Sequence, residues 1–90
     1  MEKYVEFVGK LLPAGTDIKQ RGKRALLCCG CRVLDLLEKG YAVSLDDVVW
    51  EYALYARCGV PEVWEDMRAA LGGDGVALYF GMLINEWRET

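Results

Sequence analysis

The sequence predicts an all-α fold, either a compact five-helix bundle or an orthogonal helical array. Two observations support this prediction: apolar residues recur at the three- and four-residue spacing of a helix, and short connections containing glycine or proline separate these repeats. The chain has 90 residues, of which 53% are hydrophobic, and this is enough apolar material for one core. We therefore expect a single helical domain over residues 1–90.

The first two helices are predicted over residues 2–12 and 18–39. Pro13 ends the first apolar repeat, because proline lacks an N–H and disfavours a helical conformation at the preceding residue. Asp17 is a good N-cap for the second helix, and Gly40 stands where a left-handed glycine commonly ends a helix. The second helix should therefore be the longest of the five.

Two glycines inside the second helix need an explanation, since each lowers helix stability by about 1 kcal/mol relative to alanine. Gly22 is near the predicted start of the helix, where we expect a frayed first turn. Gly30 is near the middle, where we expect another helix to cross closely.

The third helix has the strongest local signal in the chain. Ser44 can accept a hydrogen bond from the N–H of Asp47, as in a capping box. Val43 can pack on Val48, as in a hydrophobic staple. We predict that the helix begins here and ends at Gly59.

Two further helices are predicted in the last third of the chain. Pro61 suits the first position of the fourth helix, and two glycines at positions 72 and 73 end it. Asp74 can cap the fifth helix, although the apolar stretch 76–84 is also compatible with a buried strand. A helix there would direct inward the side chains of Val76, Phe80, Leu83, Ile84 and Trp87.

Charge is divided unevenly between the two halves of the chain. Residues 1–40 contain eight Lys and Arg against five Asp and Glu, and residues 41–90 contain three against nine. This division permits head-to-tail self-association, or contacts of a basic and an acidic face with different partners. It does not identify either partner.

The composition argues against catalysis. The chain contains no histidine, so the commonest general base is missing and a Ser-His or Cys-His nucleophile pair cannot form within one chain. Glu62, Glu65 and Asp66 lie on the predicted polar side of the fourth helix, where a solvated face is the simplest explanation. We expect no enzymatic activity, no catalytic residue and no cofactor.

The cysteines allow an alternative interpretation as a metal or redox sensor. Cys28 and Cys31 have C-x-x-C spacing, and Cys58 could supply a third thiolate. The pair lies inside a predicted helix without a second pair, so buried structural thiols are the simpler interpretation. The helical period places Cys28 between Arg24 and Arg32, which would favour its thiolate. We therefore expect Cys28 to react first with a thiol reagent.

Association with nucleic acid is the other alternative. The start of the second helix carries the basic cluster Lys19, Arg21, Lys23 and Arg24, whose cations could contact phosphates. The fourth helix is too acidic to serve as the recognition helix of a helix-turn-helix motif. A solvated basic face explains the cluster more simply, so nucleic acid is not the expected partner.

The third helix carries the preferred candidate for a binding site. Its helical period places Trp50 and Leu54 beside Arg57 on a polar arc, away from the face that meets the core. Exposed tryptophan next to arginine is typical of a protein–protein hot spot. These three residues, called the Trp50 patch below, are the predicted partner-binding surface unless another helix covers them.

The preferred hypothesis is a small non-enzymatic interaction module, an adaptor or inhibitor that occupies the surface of another protein and can also form a homodimer. No apolar stretch approaches the roughly 20 residues that cross a bilayer. No charged segment followed by an apolar one opens the chain. We therefore expect a soluble cytoplasmic protein that does not bind membranes.

Overall fold

The computed structural model describes residues 2–12, 20–72 and 74–90, which form five α-helices and no strand. In chain order the helices are α1 (Glu2–Leu11), α2 (Gln20–Glu38), α3 (Leu45–Ala56), α4 (Val60–Leu71) and α5 (Gly75–Arg88). The predicted all-α, five-helix fold is confirmed. Residues 76–84 belong to α5, so the alternative of a buried strand is wrong.

The predicted start of α3 is confirmed, and its predicted end is wrong. The N–H of Asp47 donates a hydrogen bond of 3.4 Å to Oγ of Ser44, as the capping signal requires. The helix stops at Ala56, three residues before Gly59. It stops there because the chain turns into a left-handed conformation at Arg57.

Other helix ends differ from the predictions by one or two residues. Helix α4 begins at Val60, so Pro61 is its second residue and not its first. Asp74 precedes α5 but forms no side-chain cap hydrogen bond. The predicted start of α2, with Asp17 as its cap, falls in residues 13–19, which lie outside the described residues.

Helix α2 is the central helix. It contacts each of the other four, and α4 also contacts α3 and α5. Helix α1 meets α5 where the ring of Trp87 packs edge-on against Tyr4 and Phe7, at centroid distances of 5.6 and 5.0 Å. The outer helices therefore follow the order α1, α5, α4, α3 around α2, and an open groove separates α3 from α1.

Two buried glycines allow close helix crossings on α2. A Cβ atom at Gly30 would lie 2.9 Å from Cγ1 of Val8 in α1, so the predicted crossing at this position is confirmed. A Cβ atom at Gly22 would collide with the backbone carbonyl oxygen of Asp66 in α4. Gly22 therefore marks a second close crossing, which the sequence did not predict.

The predicted inward face of α5 is confirmed, since Ile84 and Trp87 are partly buried and pack against the core. Val76, Phe80 and Leu83 are buried, and Tyr79 is buried beside them with its hydroxyl donating a 3.1 Å hydrogen bond to the carbonyl oxygen of Val8. The core draws fully buried side chains from every helix: Val8, Leu26, Leu34, Val49, Met67 and Leu83. Within the described residues, no helix combines the length and apolarity that a membrane crossing requires.

Gly22→Ala should lower the free energy of unfolding by about 1–3 kcal/mol, because the Asp66 carbonyl cannot yield without moving α4. Gly81→Ala is the matched control, since nothing lies within 4 Å of a Cβ atom there. Helix propensity alone predicts that the control gains about 0.5–1 kcal/mol. Urea unfolding followed by circular dichroism measures both variants, and equal effects would contradict the close crossing.

Candidate protein-interaction surface

The Trp50 patch is exposed on the outer face of α3. Trp50 and Leu54 are 57% and 61% exposed, and Arg57 is exposed as well. Trp50 and Leu54 are four residues apart and therefore lie on one side of α3, and Arg57 directly follows the last residue of the helix, Ala56. None of the helices in the described part of the chain covers the patch, so its predicted exposure is confirmed.

The opposite face of α3 anchors the helix that carries the patch. Val48, Val49 and Ala53 are buried where α3 packs on α2 and α4. A helix held along one face presents its other face in a fixed conformation. Binding to such a surface loses less conformational entropy than binding to a loop.

Arg57 adopts a backbone conformation that normally requires glycine. Its φ of 57° and ψ of 47° are left-handed, and no other non-glycine residue among those described has a positive φ. The N–H of Cys58 donates to the carbonyl of Ala53 at 3.0 Å, and the N–H of Arg57 donates to that of Leu54 at 3.3 Å. This Schellman motif ends α3. The arginine costs about 1–2 kcal/mol relative to an unstrained residue.

A groove of about 530 Å³ runs between α1 and α3, with α2 as its floor. Val5 of α1 lines one wall, and Tyr52 and Tyr55 of α3 line the other. Cys28 and Cys31 lie on the floor. A smaller depression of about 230 Å³ continues between α2 and α3. The sequence analysis did not predict this groove, because it results from the spacing of helices distant in sequence.

An ion-pair network forms the polar edge of the groove. Arg32 places Nη1 2.8 Å from Oδ2 of Asp35 and Nε 3.1 Å from Oε1 of Glu51, and Nζ of Lys39 lies 3.2 Å from Oδ2 of Asp35. Hydrogen bonds from Lys39 and Arg32 lower the pKa of Asp35 below its ordinary value. Exposed pairs contribute only about 0–1 kcal/mol each, so the main effect is to join α2 to α3.

Tyr55 connects the groove with the Trp50 patch. It is 82% exposed and follows Leu54 directly in the chain. One step of about 100° around the helix carries the surface from Leu54 to Tyr55, which also lines the groove. The exposed apolar surface of α3 therefore extends from the patch to the groove. The helical period therefore already indicates that Tyr55 lies beside Leu54 on the exposed side of α3.

A second exposed apolar pair lies on α5. Leu78 and Met82 are 73% and 41% exposed, and their four-residue spacing puts them on one face. The sequence contained this signal, because the predicted inward positions of α5 leave both residues outside. Helix α4 separates this α5 pair from the Trp50 patch.

The structure places the cysteines of the hypothesised metal site at two different positions, and that site stays a prediction. Cys28 and Cys31 line the groove, whereas Cys58 follows the end of α3. All of these thiols are free. Among the residues that the structure describes, no three side chains of Cys, Asp or Glu lie together in a way that could hold a metal ion.

The pKa of the Cys28 thiol is raised and not lowered as its arginine neighbours suggest, while the expectation that Cys28 reacts first with a thiol reagent stays a prediction. Burial raises the pKa of the Cys28 thiol, and Arg24 offsets only part of this effect. The other predicted neighbour, Arg32, is engaged with Asp35 and Glu51. Desolvation therefore outweighs the nearby positive charge, and the thiolate is disfavoured.

The basic cluster at the start of α2 does not present one continuous face. Lys19 lies outside the described residues. Nη2 of Arg21 is 3.0 Å from Oδ1 of Asp66 in α4, which partly neutralises its charge. Lys23 and Arg24 are exposed, but Lys23 lies about 160° around the helix from Arg21. Arg21 and Lys23 therefore point to different sides of α2, and the nucleic-acid alternative stays a prediction.

Comparisons with known proteins identify no relative of this chain. No protein-family model matches the chain, and neither the curated proteins nor the solved structures give a significant match.

Alkylation of the native protein should modify Cys28 at least about ten times faster than Cys29, because thiolate fraction and exposure control the rate. Cys29 is fully buried, and burial raises its pKa to about 12, so little thiolate exists near neutral pH. Iodoacetamide labelling followed by peptide mass spectrometry measures both rates. Labelling in urea is the control and should equalise them. Faster native labelling of Cys29 would contradict the packing of α2.

Arg57→Gly should raise the free energy of unfolding by about 1 kcal/mol, because glycine relieves the left-handed strain at the end of α3. Arg68→Gly is the matched control, since it makes the same change within α4 and should lower stability by about 1 kcal/mol. Urea unfolding of both variants provides the measurement. A loss of stability in Arg57→Gly would show that its side chain contributes more than the strain costs.

Proposed function

We propose that this protein is a small, non-enzymatic protein–protein interaction module, an adaptor or inhibitor that occupies a partner's surface with the Trp50 patch. One observation carries the proposal: Trp50 and Leu54 are more than half exposed on a helix whose opposite face is buried in the core. Contiguous exposed apolar surface marks interaction sites on soluble proteins. A partner that covers this surface removes it from water.

The composition of the patch suits a binding hot spot. Tryptophan and arginine are among the residues most enriched at such positions. Full burial of Leu54 would contribute about 1.5–3 kcal/mol, and Trp50 offers a larger apolar ring with an N–H donor. Tyr55 adds a rigid amphipathic contact at low entropy cost.

The strained backbone of Arg57 supports the same assignment. Left-handed non-glycine residues concentrate at functional sites, where the strain is retained for a reason other than stability. Arg57 has this conformation and lies at the end of the patch. Contact with a partner would explain why an arginine occupies this position, whereas the stability of the monomer does not.

A binding role also suits the groove better than acid–base catalysis does. The chain has no histidine, and the charged residues that line the larger groove are Arg32, Asp35 and Glu51. Arg32 already pairs with both carboxylates. An engaged carboxylate with a lowered pKa, as at Asp35, is a poor general base near neutral pH.

A pull-down with the purified protein as bait tests the proposal. Leu54→Ala truncates an exposed side chain, so stability should stay within about 0.5 kcal/mol of the wild type. Retention of the partner should fall at least about tenfold. Leu78→Ala is the matched control, because Leu78 is 73% exposed on a different helix, and it should retain the partner fully.

Quantitative mass spectrometry of proteins retained from an extract of the producing cells gives the measurement. Retention that is lost in Leu54→Ala and kept in Leu78→Ala supports the proposal. No specifically retained protein, or equal retention by the two variants, rejects the Trp50 patch as a contact surface for another protein.

A further inference from the structure

Three exposed residues on the outer face of α3, together with a fourth directly past its end, have the order of a helix–helix seam. Asp47, Trp50 and Leu54 are separated by three and four residues along α3, and Arg57 follows three residues later, after the last helical residue, Ala56; all four are exposed. Side chains at alternating three- and four-residue intervals meet along the line where two helices pair. The Trp50 patch is therefore part of a longer strip with an acidic residue at one end and a basic residue at the other.

The strip is symmetric about its centre. Asp47 and Arg57 are each five residues from position 52, and Trp50 and Leu54 are each two residues from it. If two copies of α3 lie antiparallel with a two-fold axis at this level, Trp50 faces Leu54 of the second copy. In the same register, Asp47 faces Arg57 of the second copy, and both contacts occur twice.

We propose that the partner of this surface is a second copy of the chain, bound through an antiparallel pairing of α3 with α3. This inference rests on the proposed function, since it assigns a partner to the same contact surface. The interface is isologous, as in most homodimers, because each copy contributes the same residues.

Charge complementarity favours this partner and this orientation. Neither Asp47 nor Arg57 forms an ion pair with another described residue, so both charges are available. Antiparallel pairing places opposite charges together at both ends of the seam. Parallel pairing would set Asp47 against Asp47 and Arg57 against Arg57, and like charges at an interface oppose association.

The α5 pair shows that exposed apolar residues are not always flanked by charges that match in an antiparallel pairing. Leu78 and Met82 are each two residues from position 80, and Asp74 and Glu86 are each six residues from it. Asp74 and Glu86 are exposed. An antiparallel pairing of α5 would therefore bring acidic residues together at both ends. Self-association through α5 is disfavoured, and α3 is the self-complementary helix.

The length of α3 limits the size of the interface and therefore the expected affinity of the dimer. The ten residue steps from Asp47 to Arg57 correspond to about 15 Å of helix, and Tyr55 widens the contact beside the seam. A single pair of helices of this length gives an interface at the low end of the size range for specific complexes. We therefore expect a dissociation constant of about 1–100 µM.

Sedimentation equilibrium of the whole chain, under reducing conditions and at low ionic strength, tests the pairing. The wild type should change from monomer to dimer between about 1 µM and 500 µM. Leu54→Ala removes the same contact twice and should raise the dissociation constant about 100-fold. Leu78→Ala should leave it within about twofold. A wild type that stays monomeric, or a dimer unaffected by Leu54→Ala, overturns the proposal.

Two charge reversals test the antiparallel register. Asp47→Arg and Arg57→Asp each set like charges against one another in a dimer of identical variants, so each should raise the dissociation constant about tenfold. Mixed in equal amounts, the two variants restore opposite charges at both ends and should form a heterodimer within about threefold of the wild-type constant. Aspartate tolerates the left-handed conformation at position 57, and circular dichroism verifies that both variants are folded.

The double variant Asp47→Arg with Arg57→Asp completes the test. It reverses both charges in one chain, so the antiparallel contacts are restored and dimerisation should return. Single variants that dimerise as well as the wild type overturn the register, as does a double variant that stays monomeric.

This experiment separates the two proposals. If the purified protein is monomeric but its retention of another protein depends on Leu54, the self-association is rejected and the interaction module stands. If the protein is monomeric and nothing is retained through Leu54, both are rejected. A dimer that depends on Leu54 supports the α3 pairing whatever the extract contains.

Discussion

Close packing against the two buried glycines of α2 determines where the other helices lie. Gly22 and Gly30 are eight residues apart, which corresponds to about 80° around the helix. Helix α4 approaches at the first glycine, and α1 and α5 meet at the second, where Val8 and Leu83 both lie within van der Waals distance of an added Cβ atom. These three helices therefore crowd one side of α2, and α3 packs beside α4. The interval between α3 and α1 stays open, so the groove results from packing elsewhere in the molecule.

Local signals in the sequence predicted the elements well, while features that depend on distant contacts were missed. Ser44 was recognised as a cap because capping involves residues three apart. Trp50 and Leu54 were placed outside the core because a helical period is a local property. The close crossing at Gly22 was missed because the carbonyl oxygen that it faces belongs to Asp66, 44 residues away. The direction of the Cys28 pKa shift differs from the local expectation for a similar reason. Its neighbouring arginines can be read from the chain, but the burial that raises its pKa depends on the tertiary fold.

The two faces of α3 contribute unequally to folding. Its buried face and its Ser44 cap contribute to folding, whereas Trp50 and Leu54 gain little from the monomer because more than half of each side chain stays in water. The Schellman motif would be more stable with glycine than with Arg57. The left-handed residue that ends α3 thus lies at one end of the exposed face of the helix. This combination is expected when a surface is retained for contact with a partner, since monomer stability alone favours neither the exposed ring nor the strained arginine.

Self-association and capture of another protein would compete, because both would use the same face of α3. A copy whose Trp50 patch is paired cannot bind a second protein there, so the apparent affinity for that protein decreases with the fraction of free monomer. At protein concentrations near the dissociation constant of the dimer, a rise in concentration would bury the Trp50 patch in the dimer interface. The patch would then be protected from water and from nonspecific contacts. The groove between α1 and α3 lies on the other side of Tyr55 from the strip. Pairing through the strip therefore leaves two symmetric grooves accessible, and the dimer keeps a surface that the monomer also has.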